Sequence, residues 1–219
     1  TQLDRLLENI RNGQIALPEQ RRQLDLVRHL NSLHLRERAG DAALEARLQS
    51  FELAFRMQTE SAEAFDLSRE PEKVRDRYGP TRYAADCLTA RRLVEAGVAF
   101  VLIQCFGTRC DWDWHYEAFS HLSKYMLGVF DHVTAVLIED LRARGLWDDT
   151  LLICAGEFGR TPQIGSNEAN GYNGRAHYGG SYAALVGGGP IRGGAVVGAT
   201  NKNGTAISDR PVTVPDLYR

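Results

Sequence analysis

Two apolar runs, VAFVLIQC (98–105) and TLLICA (150–155), flank one long amphipathic stretch, and few folds accept that order. VAFVLIQC is apolar almost throughout, the pattern of a strand buried on both faces. A helical pattern, TRYAADCLTARRLVEA (81–96), precedes it and stops at Gly97. Between the runs, roughly residues 117–144 carry Phe119, Leu122, Met126, Val129, Phe130, Val133, Val136, Leu137 and Leu141 at helical spacing. Gly145 closes that helix. Helix, strand, helix, strand calls for a right-handed crossover and a parallel sheet. The fold expected is therefore α/β, a mostly parallel sheet with helices on both faces. Short strands are expected in SYAALVGGG and GAVVGATNKNGTAI, with Asn203-Gly204 as a hairpin turn. Gly187 to Gly189 match no complete phosphate-binding fingerprint and read as a tight connection.

An N-terminal helical segment precedes this unit. Leu3, Leu6, Leu7 and Ile10 form a stripe over 2–12; Leu24, Val27, Leu30 and Leu33 form a second after Pro18. A third runs from Leu44 through Leu48, Phe51 and Phe55 to Met57. These helices hold no cluster of chemical groups, and His29 and His34, five apart, read as surface or packing residues. The organisation expected is a helical subdomain or lid over 1–80 and an α/β portion over 81–219. The start inside a helical pattern at Thr1 and the helix opening at Val214-Pro215-Asp216 give the expectation of a piece truncated at both ends. A net charge of -2, from 26 basic and 28 acidic residues, gives no electrostatic case for nucleic acid. No apolar run approaches the roughly 18–20 residues that cross a bilayer.

Chemistry gathers where loops leave the expected strands, because ligands of open α/β sheets bind beyond the carboxyl ends of strands. CDWDWH offers Asp111, Asp113 and His115; GEFGR offers Glu157 and Arg160; NGYNGRAHYGG adds Arg175 and His177. Asp113, His115, Glu157 and His177 are the candidate ligands of one divalent ion. Mixed imidazole and carboxylate donors suit zinc or manganese, and oxygen-rich sets suit magnesium or calcium. Arg160 and Arg175 are candidate anion-binding groups, since a guanidinium grips phosphate or sulfate with two hydrogen bonds. Glu157 and Arg160 could instead pair with each other across the corner. Trp112 and Trp114 read as packing residues or as a sugar-stacking wall, and Asp111 as a loop cap. Cys105 and Cys110 could form a disulfide or, with His115, a metal set; Cys87 and Cys154 read as buried thiols.

As a set, WDWH, RGLWDDTLLICAGEFGRTP, NGRAHY, VGGGPIRGGAVVGATNKNG and DRPVTVPDLY resemble a family of uncharacterised bacterial sulfatase-like proteins, grouped with the alkaline phosphatase superfamily. FELAFRMQTESAEAFDLSREPEKVRDRYG and CLTARRLVEAGVAFV extend the likeness over almost the whole chain. The resemblance implies an incomplete three-layer sandwich and a metal-dependent hydrolase of phosphate or sulfate esters, with a small-molecule or glycan ester as substrate. By motif match Asp113, His115, Glu157 and His177 hold the ion. The nucleophile of such enzymes, a Ser, Thr or modified Cys, belongs upstream of residue 1, and Thr161 is a poor replacement. Members often begin with an export signal, which implies a periplasmic or secreted protein. Phe158 stands where the superfamily commonly has a histidine, which points to one ion and not two. Ala176 stands where the sulfatase-like family usually has an aspartate before the last histidine. Both departures keep open an alternative, a catalytically inactive relative that binds anionic glycans or other ligands.

Overall fold

A computed structural model describes residues 12–37, 42–104, 112–165 and 173–217. The helix expected over 2–12 (all but its last residue), Asp111, Cys105 and Cys110 lie outside the described residues. Chain contacts divide the protein into two compact units, Thr1–Glu72 with Arg92–Val101, and Lys73–Arg91 with Leu102–Arg219.

The first unit is built on helices α1 (Leu17–Glu37) and α2 (Ala42–Phe65). Polar bridges join them: Arg21 and Arg28 both reach Glu52, at 2.7 and 3.0 Å. Gln58 also donates to Gln20 at 2.7 Å. Leu30, Leu33 and Phe51 of the apolar stripes are exposed. Arg92 closes the C-terminal end of α2, donating to the carbonyls of Ala64 (2.8 Å) and Glu63 (2.5 Å) and pairing with buried Glu70. Those carbonyls have no partner within the helix, so a cation that also offers N–H groups suits them twice over.

The second unit contains α3 (Glu72–Tyr78) and the part of α4 (Arg82–Glu95) up to Arg91. It continues with α5 (Ala118–His121), a π-helical turn at Leu122–Met126, and α6 (Leu127–Ala143). Tyr78, Ala84, Cys87, Leu88, Val133, Val136, Leu137 and Leu141 are buried as its core. Tyr83 stacks on Phe130 at 6.1 Å and its hydroxyl meets the Thr134 hydroxyl at 3.1 Å, which binds α4 to α6.

The expected mostly parallel sheet, with helices on both faces, is not formed. Strands β1 (Leu152–Ala155) and β4 (Ala184–Gly187) pair antiparallel, from Leu152 opposite Gly187 to Ala155 opposite Ala184. β2 (Gly159–Arg160) pairs antiparallel with β3 (His177–Tyr178), and β5 (Ala199–Thr200) with β6 (Ile207–Asp209). These three two-stranded ladders are the sheets of the described residues. Residues 98–104, read from sequence as the first parallel strand, carry no regular structure, and Phe100 and Leu102 are 79% and 70% exposed. The physical reason is pairing. A strand exists only where a neighbour takes up its N–H and C=O groups, and an apolar run does not name that neighbour.

Gly187 to Gly189 follow β4 and turn tightly against Trp147. Gly189 N donates to the Trp147 carbonyl at 3.0 Å, and a Cβ on Gly188 would stand 2.1 Å from the Thr150 carbonyl oxygen. Helix α7 (Val214–Leu217) opens with one half of a capping box, Thr213 donating through N (2.9 Å) and Oγ1 (2.5 Å) to the Asp216 carboxylate. Among the described residues no helix is long and apolar enough to cross a membrane.

Candidate metal centre

The segment Trp112-Asp113-Trp114-His115 bends at Trp112 and Asp113, and its aromatic and ligating side chains take separate partners. Trp112 meets Phe130 edge-on at 5.6 Å, and Trp114 stacks flat on His121 at 4.5 Å. The two indoles thus fasten the segment to the α5–α6 helical stretch. Asp113 and His115 are left to face His177 and Arg160.

Those partners are placed by the β2–β3 ladder, whose register sets Arg160 directly opposite His177. The ladder is prolonged by Thr161 N donating to Ala176 O (2.9 Å), Ala176 N to Thr161 Oγ1 (3.2 Å) and Gly165 N to Gly174 O (2.9 Å). Arg175 donates to the Thr161 carbonyl at 2.9 Å and lies over the Phe119 ring at 5.3 Å. It braces this loop, and its contacts are apart from the Asp113 cluster. Glu157 is exposed at the corner after β1, outside the cluster and without a hydrogen bond or ion pair among the described residues. Its neighbour Phe158 packs on the His177 ring at 4.2 Å.

Asp113, His115 and His177 bring one donor atom each to a common point. His115 Nε2 lies 3.1 Å from Asp113 Oδ1 and 3.1 Å from His177 Nε2, and His177 Nε2 lies 2.7 Å from Asp113 Oδ1. Donors at the ~2.0–2.1 Å typical of zinc stand roughly 3.3 Å apart at tetrahedral angles and roughly 2.9 Å apart at right angles. The observed triangle is close to that size, so the residues fit a divalent ion.

Arg160 sets where the protons lie at this point. Arg160 Nη1 approaches His115 Nε2 at 3.2 Å, and Nη2 donates to Asp113 Oδ1 at 2.6 Å and to the Trp112 carbonyl at 3.3 Å. A guanidinium only donates, so His115 Nε2 must present its lone pair. That lone pair and the Asp113 carboxylate oxygen then face each other at 3.1 Å with no hydrogen between them. The Arg160 guanidinium, which bonds both atoms, is the cation that offsets this contact, and a divalent ion at the same point would offset it as well. The His177 and Arg160 hydrogen bonds hold the Asp113 carboxyl down at about 2, so it is ionised and ready to ligate.

Two features of this centre went unread in the sequence. Phe158 acts as a ring wall against His177, a role its position in GEFGR does not announce. Gly174 is the other. A Cβ there would fall 1.5 Å from the His115 carbonyl oxygen, so this glycine lets the third loop touch the backbone of the first. The Asn-Gly pair in YNGRAHY is the signal that could have marked it. Gly174→Ala is expected to push His115 out of line and weaken zinc binding about 10-fold, as supporting-shell changes do, with every ligand still present. Competition against a chelating dye measures this.

A family model described as "Protein of unknown function (DUF1501)" matches residues 1–219. The chain belongs to this family. Among curated proteins and solved structures, none matches it. The centre of this DUF1501 chain is therefore read from its own geometry: two imidazoles, one ionised carboxylate and one guanidinium, carried by one loop and by strands β2 and β3 of one unit.

Proposed function

We propose that this DUF1501 chain holds one divalent ion on Asp113, His115 and His177 and, with Arg160, acts on a phosphate or sulfate ester. The observation that carries the reading is the convergence of three donor atoms and a guanidinium fork on one point. Two nitrogens and one oxygen suit zinc or manganese better than magnesium or calcium, which take oxygen-rich sets. When bound, such an ion polarises an ester oxygen and lowers the pKa of water. The chain's own groups do the rest. Asp113 supplies the negative charge that retains the ion, and His115 and His177 supply neutral lone pairs. His177 does so after the Nε2 proton it donates to Asp113 has moved to Nδ1 or left. Arg160 offers two N–H groups to the non-bridging oxygens of the ester. Asp113 and His177 are about half exposed, at 52% and 47%, so a small-molecule or glycan ester can reach them. The sequence resemblance to sulfatase-like proteins supports the same substrate class.

Thr161 is not the nucleophile of this reading, because its hydroxyl donates to Gln163 O at 3.0 Å and accepts from Ala176 N. That tie, with a methyl at Ala176 where a carboxylate could orient His177, favours a second reading. In it the same centre binds anionic glycans or other oxyanion ligands without turning them over. Metal analysis followed by assay of aryl phosphates and aryl sulfates separates the two. One zinc or manganese per chain is expected, with ester hydrolysis lost to chelator and restored by the metal. Bound metal without turnover assigns the binding reading, and absence of metal under saturating conditions sinks both.

A further inference from the structure

Arg160 occupies the atoms that a metal ion needs. His115 Nε2 has one in-plane position, which holds either a proton or a lone pair, and Arg160 Nη1 takes it at 3.2 Å. Asp113 Oδ1 has two lone pairs, and Arg160 Nη2 and His177 Nε2 take them at 2.6 and 2.7 Å. Both are occupied, and the nearer of the two partners is a fixed positive charge. A divalent ion bound to these two atoms displaces the guanidinium from both, and the two cations repel each other across a few ångströms.

The displaced side chain needs somewhere to go. Its backbone is held in β2 opposite His177, but the long side chain reaches the cluster across 45–48 residues of sequence by three contacts at its tip. The guanidinium can therefore swing while the strand stays put. A tetrahedral oxyanion is the natural recipient, because its oxygens match the planar fork with two parallel bonds. A divalent ion, one carboxylate and one guanidinium leave a net charge of about two positive, which a dianion cancels and a monocarboxylate does not.

Resting on the metal-site reading, we propose that Arg160 is an oxyanion-operated latch. With no oxyanion the guanidinium holds Asp113 and His115 and opposes the metal. A tetrahedral dianion, a phosphate monoester or inorganic sulfate, draws it off, releases the His115 lone pair and one Asp113 lone pair, and screens the charge. Metal and oxyanion then bind with positive coupling, each raising the other's affinity by the same factor. Arg160 is in this sense a positioning residue for the metal as well as a clamp for the ligand. The latch also makes the centre selective: a phosphate monoester, whose head is dianionic, assembles the full site, and a singly charged sulfate ester or carboxylate leaves it half shut.

Calorimetric titration of the chain with zinc tests this in chloride buffer, with added inorganic sulfate, and with added acetate. Sulfate is expected to tighten zinc binding about 10-fold, within the usual range of coupling between sites, and acetate less than 2-fold. Arg160→Gln is expected to bind zinc more tightly than the unsubstituted chain in chloride and to lose the sulfate effect. Arg160→Lys, which keeps the charge and loses the fork, should keep the weak binding in chloride and lose most of the coupling. Circular dichroism of each variant checks that the fold is retained. If zinc binds well but sulfate has no effect, or has the same effect on Arg160→Gln, the latch is wrong and the metal site stands. If zinc binds under none of these conditions, the metal site and the latch fall together.

Discussion

Asp113→Asn is expected to lose tight zinc binding while the protein remains folded. Asparagine keeps the shape of the side chain and can still accept a hydrogen bond from Arg160, but it carries no charge to hold a cation. His177→Ala removes a neutral donor from the same triangle. Both variants should weaken zinc by more than about 100-fold, beyond the 10–100-fold effect of changes in the supporting shell. The fold should barely notice. Asp113 is about half exposed, and substitutions at such positions usually change stability within about 0.5 kcal/mol. Unfolding temperatures measured in excess chelator should therefore agree among the three proteins to within about 2 °C. Dye competition for zinc gives the affinities. Affinity in both variants matching that of the unsubstituted chain would falsify the assignment of these ligands.

Asp113, His115 and His177 were legible as a group because residue type, spacing and loop character point the same way, whereas Glu157, read with them, stands outside the cluster. WDWH alternates aromatic and ligating side chains, and the structure sends the two indoles to Phe130 and His121 and the other two side chains to the cluster. Arg160 was harder. From sequence its nearest acid is Glu157, three residues away on a Gly-bracketed corner, and a local pair was open. The structure pairs it with Asp113, 47 residues upstream, because the β2–β3 register lays Arg160 beside His177. Register is a property of two segments together, and neither segment alone contains it. Sheet direction failed for a related reason. TLLICA and SYAALVGGG are both apolar enough to be strands, but four-residue strands with apolar residues on both faces do not reveal whether they run parallel or antiparallel. VAFVLIQC shows the limit most plainly, since its apolar composition survives in a segment where Phe100 and Leu102 face outward.

The other large effect lies away from the metal centre, in a buried charge network of the second unit. Asp140 of α6 is buried and accepts from the Tyr78 hydroxyl at 3.0 Å and from Arg144 Nε at 2.9 Å. The same carboxylate stands 3.0 Å from the Arg91 guanidinium, whose side chain is 0% exposed. Burial, with Asp140 beside it, holds the Tyr78 phenol above its ordinary range, so it stays protonated and donates. Asp140→Ala leaves the Arg91 charge in the core without its carboxylate, and breaking one side of a buried pair costs about 3–5 kcal/mol. For a chain of this size that is a fall of roughly 6–20 °C in the unfolding temperature. The cost comes from stranding a charge and not from losing attraction, and a second variant shows which. Arg91→Met combined with Asp140→Leu removes both charges and fills the space, so it should recover most of the lost stability, as apolar replacement of buried pairs often does. Differential scanning calorimetry of the single and double variants decides it. A shift below about 2 °C for Asp140→Ala, or a double variant no better than the single, would mean that the network does not hold α3, α4 and α6 together in the way their geometry indicates.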